Sequence, residues 1–150
     1  MVSWDRLLVG RPFNLLFALA LIFALAGCSG EPFKHVQVSG KVTYEDGTVI
    51  PVSVMELTFQ PQAAAVDAQT HPRPGHADVD VATGEFARAT TRKPGDGLVA
   101  GRHKVKITAY DDTQQISRAI PAEYTDISTT PIELDTGDQP WNITIKRPSD

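Results

Sequence analysis

Apolar and polar side chains alternate along most of the chain after residue 35. Four segments carry an apolar side chain or a glycine at every second position, which is the period of a strand with one buried face. The four rows are Val36, Val38, Gly40, Val42 and Tyr44; Met55, Leu57 and Phe59; Val105, Ile107 and Ala109; and Trp141, Ile143 and Ile145. This alternation predicts strands that bury one face in a common core, with Phe59 and Trp141 as the largest core side chains.

Turn-forming residues separate these rows. Glycine, proline and aspartate recur at 45–47, 72–75, 82–84 and 93–97. Shorter strands are predicted at 76–81, at 85–91 and around Ile132 and Leu134. No segment after residue 30 has the apolar period of a helix over a helical length. We therefore predict an all-β fold, a single antiparallel seven-stranded β-sandwich of prealbumin-like or immunoglobulin-like type.

The first 27 residues have a different character. Arg6 and Arg11 precede an apolar stretch over 13–27 that is interrupted by Asn14. The stretch is shorter than the roughly 20 residues that a membrane-spanning helix needs. A basic start, a short apolar run and small residues at its end are typical of a secretory signal. An uncleaved N-terminal anchor or a buried helix is the alternative interpretation.

Leu25-Ala26-Gly27-Cys28 resembles the lipobox of bacterial lipoproteins, whose cysteine becomes the lipidated N-terminus after cleavage. The resemblance implies a lipoprotein signal peptide over 1–27, followed by a lipidated tether over 28–35. The β-sandwich domain then covers 36–147, and 148–150 is a C-terminal tail. Because Cys28 is the only cysteine, no disulfide can form within the chain.

The order of the remaining segments resembles the small carboxypeptidase regulatory-like (transthyretin-like) lipoproteins of planctomycete bacteria. The matching segments are Val38-Ser39-Gly40-Lys41-Val42-Thr43-Tyr44, Leu57-Thr58-Phe59-Gln60-Pro61, Thr83-Gly84-Glu85-Phe86, Lys93-Pro94-Gly95-Asp96-Gly97, Gly101-Arg102-His103-Lys104-Val105-Lys106-Ile107 and Ile120-Pro121-Ala122-Glu123-Tyr124. The resemblance covers 36–146 and implies a prealbumin-like sandwich anchored in the cell envelope, with no known activity. The loop over 60–75, rich in alanine and proline, departs from the family.

One cluster could bind a metal ion. His71, His76, Asp78 and Asp80 lie within ten residues and carry ligand atoms suited to Zn²⁺ or Cu²⁺. However, both aspartates alternate with valines, so a strand with its polar face in solvent is the simpler interpretation. We predict no metal and no cofactor, and keep a metal site as an alternative.

Catalysis has little support in the sequence. The one thiol is expected to be acylated, no Gly-x-Ser-x-Gly motif occurs, and His35 and His103 lie on predicted strands with solvent-facing imidazoles. Hydroxyisourate hydrolases of transthyretin-like fold end in Tyr-Arg-Gly-Ser, whereas this chain ends in Lys146-Arg147-Pro148-Ser149-Asp150. We therefore predict that the protein is not an enzyme.

The aromatic side chains allow two interpretations. Trp141, Tyr110, Tyr124 and Phe86 could form a platform for a sugar or a peptide, although core packing explains Trp141 better. Tyr124 lies in an extended connection beside Pro121, where its hydroxyl is predicted to hold a loop to the backbone, as corner tyrosines of sandwiches do.

These observations favour a membrane-anchored envelope lipoprotein with a non-catalytic structural or interaction module. The membrane is bound through lipid on Cys28, and an envelope protein or glycan would bind through the loops 60–75, 92–100 and 111–130. Ser29 in place of aspartate indicates the outer membrane. A glycan- or metal-binding module is the alternative, and a hydrolase ranks third. The net charge of −4 gives no reason to expect nucleic acid as a partner.

Overall fold

The computed structural model describes residues 32–149. The predicted signal peptide, with Leu25, Ala26, Gly27 and Cys28, lies outside the described residues. The chain from Pro32 onward forms one compact unit. No helix among residues 32–149 has the length and apolar character needed to cross a bilayer.

The described residues form nine strands and one short 3-10 helix. The strands are β1 (His35–Val36), β2 (Ser39–Tyr44), β3 (Val54–Pro61), β4 (Gly75–Asp78), β5 (Glu85–Ala87), β6 (Leu98–Val99), β7 (Arg102–Tyr110), β8 (Glu133–Asp135) and β9 (Trp141–Ile145). The 3-10 helix covers Ala122–Tyr124. The prediction of an all-β fold is confirmed.

The strands are arranged in three sheets. Strands β5, β2 and β9 form a three-stranded sheet, β4, β3, β7 and β8 form a four-stranded sheet, and β1 pairs with β6. The prediction of a purely antiparallel arrangement is wrong for one pair, because β2 and β9 run parallel, with Gly40 opposite Trp141 and Tyr44 opposite Ile145. A period of two residues marks strands of either direction, so the alternation could not reveal this pairing.

Two predicted strands are shorter than expected. The strand predicted at 85–91 stops at Ala87, because Arg88 has a φ of 57°, a left-handed conformation that interrupts a ladder. The strand predicted at 76–81 is represented by β4, beyond which Val79 keeps a single bridge to Phe86. The loop predicted at 92–100 ends in β6, which pairs with β1.

Three aromatic rings join the two larger sheets. Phe59 on β3 lies 5.7 Å from Trp141 on β9 and 6.1 Å from Phe86 on β5, measured between ring centroids. Phe59 is fully buried and Trp141 is 3% exposed, so both predicted core side chains are confirmed. Each such aromatic pair adds about 0.5–1.5 kcal/mol beyond the burial of its area. The indole N–H of Trp141 donates to the carbonyl of Asp135 at 2.9 Å.

Two buried tyrosines hold the long connection between β7 and β8. The hydroxyl of Tyr124 accepts a hydrogen bond from the backbone N–H of Lys146 at 3.3 Å, which confirms the loop-holding role predicted for this side chain. The hydroxyl of Tyr44 donates to the carbonyl of Ala119 at 2.9 Å. The connection is therefore tied to the ends of β2 and β9.

Candidate functional site

The four residues considered as metal ligands are not brought together. His76 and Asp78 lie on the exposed face of β4, and Asp80 accepts the N–H of Ala82 at 2.9 Å in the following turn. His71 lies in the loop between β3 and β4, where its Nε2 is 3.0 Å from the carbonyl of Ala68. Within residues 32–149, no group of three or more histidine, cysteine, aspartate or glutamate side chains is placed to hold a metal ion.

His76 instead contacts two residues on the neighbouring strand β3. Its Nδ1 lies 3.3 Å from Oε1 of Glu56 and 3.4 Å from Oγ1 of Thr58. A catalytic relay would use one imidazole nitrogen for the hydroxyl and the other for the carboxylate. Here both contacts fall on Nδ1, so Thr58, His76 and Glu56 are not arranged as a nucleophile, base and acid. The geometry is that of a half-exposed polar contact between two strands, and such surface contacts contribute little to stability.

His103 corrects a sequence prediction. The side chain was expected to face solvent, but only 1% of it is exposed. It has the same phase on β7 as Val105 and Ile107, so strand alternation places it in the core. Its Nδ1 is 3.0 Å from the carbonyl of Gly101, and its ring meets the ring of Phe59 edge-on. In the described part of the chain, its buried Nε2 has no hydrogen-bond partner.

Burial lowers the pKa of His103, because the interior disfavours the charged imidazolium. The carbonyl of Gly101 and the carboxylate of Asp135 oppose this shift. The lowered pKa favours the neutral imidazole, which packs as a core side chain.

The aromatic platform considered as an alternative is absent from the described surface. Trp141, Phe86 and Tyr124 are all buried, and the first two pack against each other in the core. Tyr110 is the exception, with 38% of the side chain exposed.

Tyr110 lies between two further exposed apolar side chains. Val54 is directly opposite Tyr110 in the β3–β7 ladder, and Ile116 forms a bridge with Tyr110 on its other side. Directly opposite residues project from the same face of a sheet, so the three side chains adjoin. Val54 is 54% and Ile116 72% exposed. We refer to these three residues as the Tyr110 patch.

A cavity of about 590 Å³ adjoins the patch, within the roughly 300–1,000 Å³ that is usual for ligand pockets. It is lined by Ser53, Val54, Tyr110, Asp111, Asp112 and Gln114. The two charged residues of this lining are both acidic. The sequence predicted a polar turn here, but it could not reveal the patch, because Val54 and Ile116 meet Tyr110 only through sheet pairing.

The turn beside the patch is held by Asp111. Its Oδ1 accepts the N–H of Thr113 at 2.9 Å, the hydroxyl of Thr113 at 2.7 Å and the N–H of Gln115 at 3.0 Å. These hydrogen bonds lower the pKa of Asp111, led by that from the Thr113 hydroxyl. Gln114 takes a φ of 63° within the turn. An ionised carboxylate is thus held in a defined position next to the exposed ring of Tyr110.

The patch lies far from the point where the chain enters the domain. The carbonyl of Lys34 accepts the N–H of Ala100 at 2.8 Å, two residues before β7 begins. Strand β7 is nine residues long, and at about 3.3 Å per residue its two ends are about 26 Å apart. Tyr110 is the last residue of β7, so the patch lies at the end of the sheet opposite the entry.

Comparisons of the chain with protein-family models, with curated proteins and with solved structures found no match. The resemblance to carboxypeptidase regulatory-like lipoproteins therefore stays a prediction.

Proposed function

We propose that the protein is a lipid-anchored lipoprotein of the bacterial cell envelope whose domain acts as a non-catalytic interaction module. The tetrapeptide ending at Cys28 supports the anchor, and the outer membrane is the proposed location because Ser29 follows the cysteine. Seven residue steps separate Cys28 from His35, where β1 begins. They span at most about 25 Å, so the domain stands close to the membrane that holds the lipid.

The finer fold assignment is part of the same proposal. The sheets of three and four strands, joined by Phe59 and Trp141, are in keeping with a seven-stranded prealbumin-like sandwich. The paired strands β1 and β6 are then an addition to that sandwich. A rigid scaffold of this kind leaves its loops and exposed strand ends for contacts with partners.

The main support for the interaction role is the Tyr110 patch. The described chain has four exposed large apolar side chains, and three of them adjoin at this one place. Single exposed apolar residues are normal on monomers, whereas a contiguous group is typical of an interaction site. The patch is next to the turn that begins the predicted partner loop 111–130. The patch also lies far from the entry of the chain, so the lipid anchor at that end leaves it accessible to a partner protein.

Site-specific photocrosslinking in intact membranes tests this function. A benzoyl-phenylalanine at position 110 replaces one aromatic side chain by another. Position 138 provides the control, because Asp138 is exposed outside the predicted partner loops and follows β8, which pairs with the other end of β7. We expect an adduct of defined mass from position 110 and none from position 138. The interaction role is wrong if position 110 yields no adduct, or if both positions yield the same ones.

A further inference from the structure

The chain already contains an arginine bound at the end of a strand by a tyrosine and an aspartate. Arg147 lies over the ring of Tyr44, with Cζ 4.4 Å from the ring centroid. Its Nε and Nη2 donate to Oδ2 of Asp46 at 3.1 and 2.8 Å. The other oxygen of Asp46, Oδ1, accepts the N–H and the hydroxyl of Thr48 at 3.0 and 2.6 Å. A turn thus holds one carboxylate oxygen while the other binds the guanidinium.

The end of β7 also presents a tyrosine, an aspartate and a turn, although Asp111 directly follows Tyr110 whereas Asp46 is two residues after Tyr44. Tyr110 ends the strand, and Oδ1 of Asp111 accepts the N–H and the hydroxyl of Thr113, as Oδ1 of Asp46 does from Thr48. Arg147 is among the groups that lower the pKa of Asp46, after the two hydrogen bonds from Thr48. The groups that lower the pKa of Asp111 are hydroxyl and backbone N–H donors, with no cation among them. The second arrangement therefore has a tyrosine and a turn-held aspartate that are available to a cation supplied by a partner.

The apolar and acidic parts of this surface restrict the occupant. Val54 and Ile116 on either side of Tyr110 offer contact area to an apolar side chain. Asp111 and Asp112 would repel an anionic membrane surface. In a symmetric dimer through this patch, the same two aspartates would face their own copies, and like charges placed together at an interface oppose binding. A segment that combines a cation with apolar residues complements both parts.

We propose that the Tyr110 patch binds an arginine-bearing apolar segment of a partner protein. The guanidinium stacks on the ring of Tyr110 and pairs with the carboxylates of Asp111 and Asp112, and the flanking apolar side chains cover Val54 and Ile116. Arginine is preferred to lysine because its planar group can stack on a ring and bond to a carboxylate at the same time. This inference rests on the proposed interaction function and specifies the chemistry of the partner.

The test uses the full chain in detergent micelles and three labelled peptides, with binding measured by fluorescence anisotropy. The first peptide is acetyl-Leu-Arg-Leu-Arg-Leu-amide, the second has citrulline for arginine, and the third has serine for leucine. Citrulline keeps the shape of arginine but lacks its charge. We expect the first peptide to bind about tenfold or more tightly than each of the others, since it alone supplies both the cation and the apolar contacts.

Two variants address the patch and two serve as controls. Asp112→Asn and Tyr110→Leu should each weaken binding of the arginine peptide by about tenfold, since the first removes one of the two carboxylates and the second removes the ring that contacts the guanidinium. Asp138→Asn and Ala87→Ser change an exposed acid and an exposed apolar side chain outside the predicted partner loops and should leave the affinity unchanged. Thermal unfolding of every variant checks that the domain remains folded.

Several results would overturn the inference. Equal affinity for the arginine and citrulline peptides would exclude recognition of the cation. Unchanged affinity of Tyr110→Leu for the arginine peptide would mean that the acidic surface attracts basic peptides in general. Sedimentation that reveals self-association, lost in Tyr110→Leu, assigns the patch to a second copy of the chain. Crosslinks from position 110 without peptide binding leave the interaction function standing and remove the proposed partner chemistry. Peptide binding without crosslinks in membranes would show that the patch recognises arginine but would contradict both the interaction function and the proposed protein partner.

Discussion

Gly40 lies directly opposite Trp141 in the parallel β2–β9 pair, and it also faces Phe86 across the β2–β5 pair. A Cβ atom at position 40 would meet the carbonyl oxygen of Trp141 and come within 2.7 Å of Cζ of Phe86. The absence of a side chain therefore allows the ring of Phe86 and the backbone of Trp141 to pack closely against β2.

We expect Gly40→Ala to lower the free energy of unfolding by about 1–3 kcal/mol, the usual cost of an added methyl group in a packed core. Chemical denaturation followed by tryptophan fluorescence measures the loss. Gly137→Ala is the matched control, because the nearest atom to its added Cβ would be Oδ1 of Asp135 at 3.4 Å. Equal stability of the two variants would contradict the close packing around Gly40.

His103 should make the stability of the protein depend on pH. Its pKa is lowered in the folded state by burial, whereas the unfolded imidazole titrates near about 6.5. Below about pH 6.5 the unfolded chain takes up a proton that the folded chain still excludes, so the free energy of unfolding falls. The decline ends once the pH is below the lowered pKa of the folded state. Carboxylates titrate mainly below this window, near about pH 4.

Denaturation of the wild type and of His103→Leu, measured between about pH 7.5 and about pH 5, checks this expectation. The stability of the leucine variant should decline less over this range, because it has no imidazole at position 103. His71→Gln removes an exposed histidine from the loop between β3 and β4 and should follow the wild type. An identical pH profile for His103→Leu and the wild type would mean that this imidazole does not control the dependence.

Tyr124→Phe removes one hydrogen bond without changing the packing of the ring. Its hydroxyl accepts the N–H of Lys146 at 3.3 Å at the end of β9, so we expect a loss of about 0.5–1.5 kcal/mol in the free energy of unfolding. Equilibrium denaturation gives this difference, with Tyr110→Phe as the control at an exposed tyrosine. No difference between Tyr124→Phe and the wild type would show that the hydroxyl does not stabilise the connection.

Cys28→Ala tests the proposed anchor independently of the domain. Because the cysteine supplies the thiol that is acylated, the variant should incorporate no labelled palmitate and should retain its first 27 residues. Ser29→Ala keeps the cysteine and should remain lipidated. Metabolic labelling, intact mass and membrane fractionation provide the readouts. A Cys28→Ala protein that is still lipidated and still cleaved after residue 27 would disprove the lipobox assignment.

The core of the fold can be predicted from the alternation of apolar and polar residues along each strand. Val105, Ile107 and Ala109 were predicted to share a buried face of one strand, and all three are buried on β7. His103 belongs to the same row, but residue type suggested an exposed imidazole. The position of His103 along the strand decides its burial, because every second side chain of a strand projects into the same layer.

The sequence by itself determined that the domain is all-β and that Phe59 and Trp141 face the core, because the alternation of side chains along a strand is a local property of the backbone. Tertiary structure decided which strands meet. The parallel pairing of β2 with β9 and the pairing of Val54 with Tyr110 both depend on register between residues distant in sequence. Register is set by the packing of the whole core, and it is register that creates the exposed surface proposed to bind a partner.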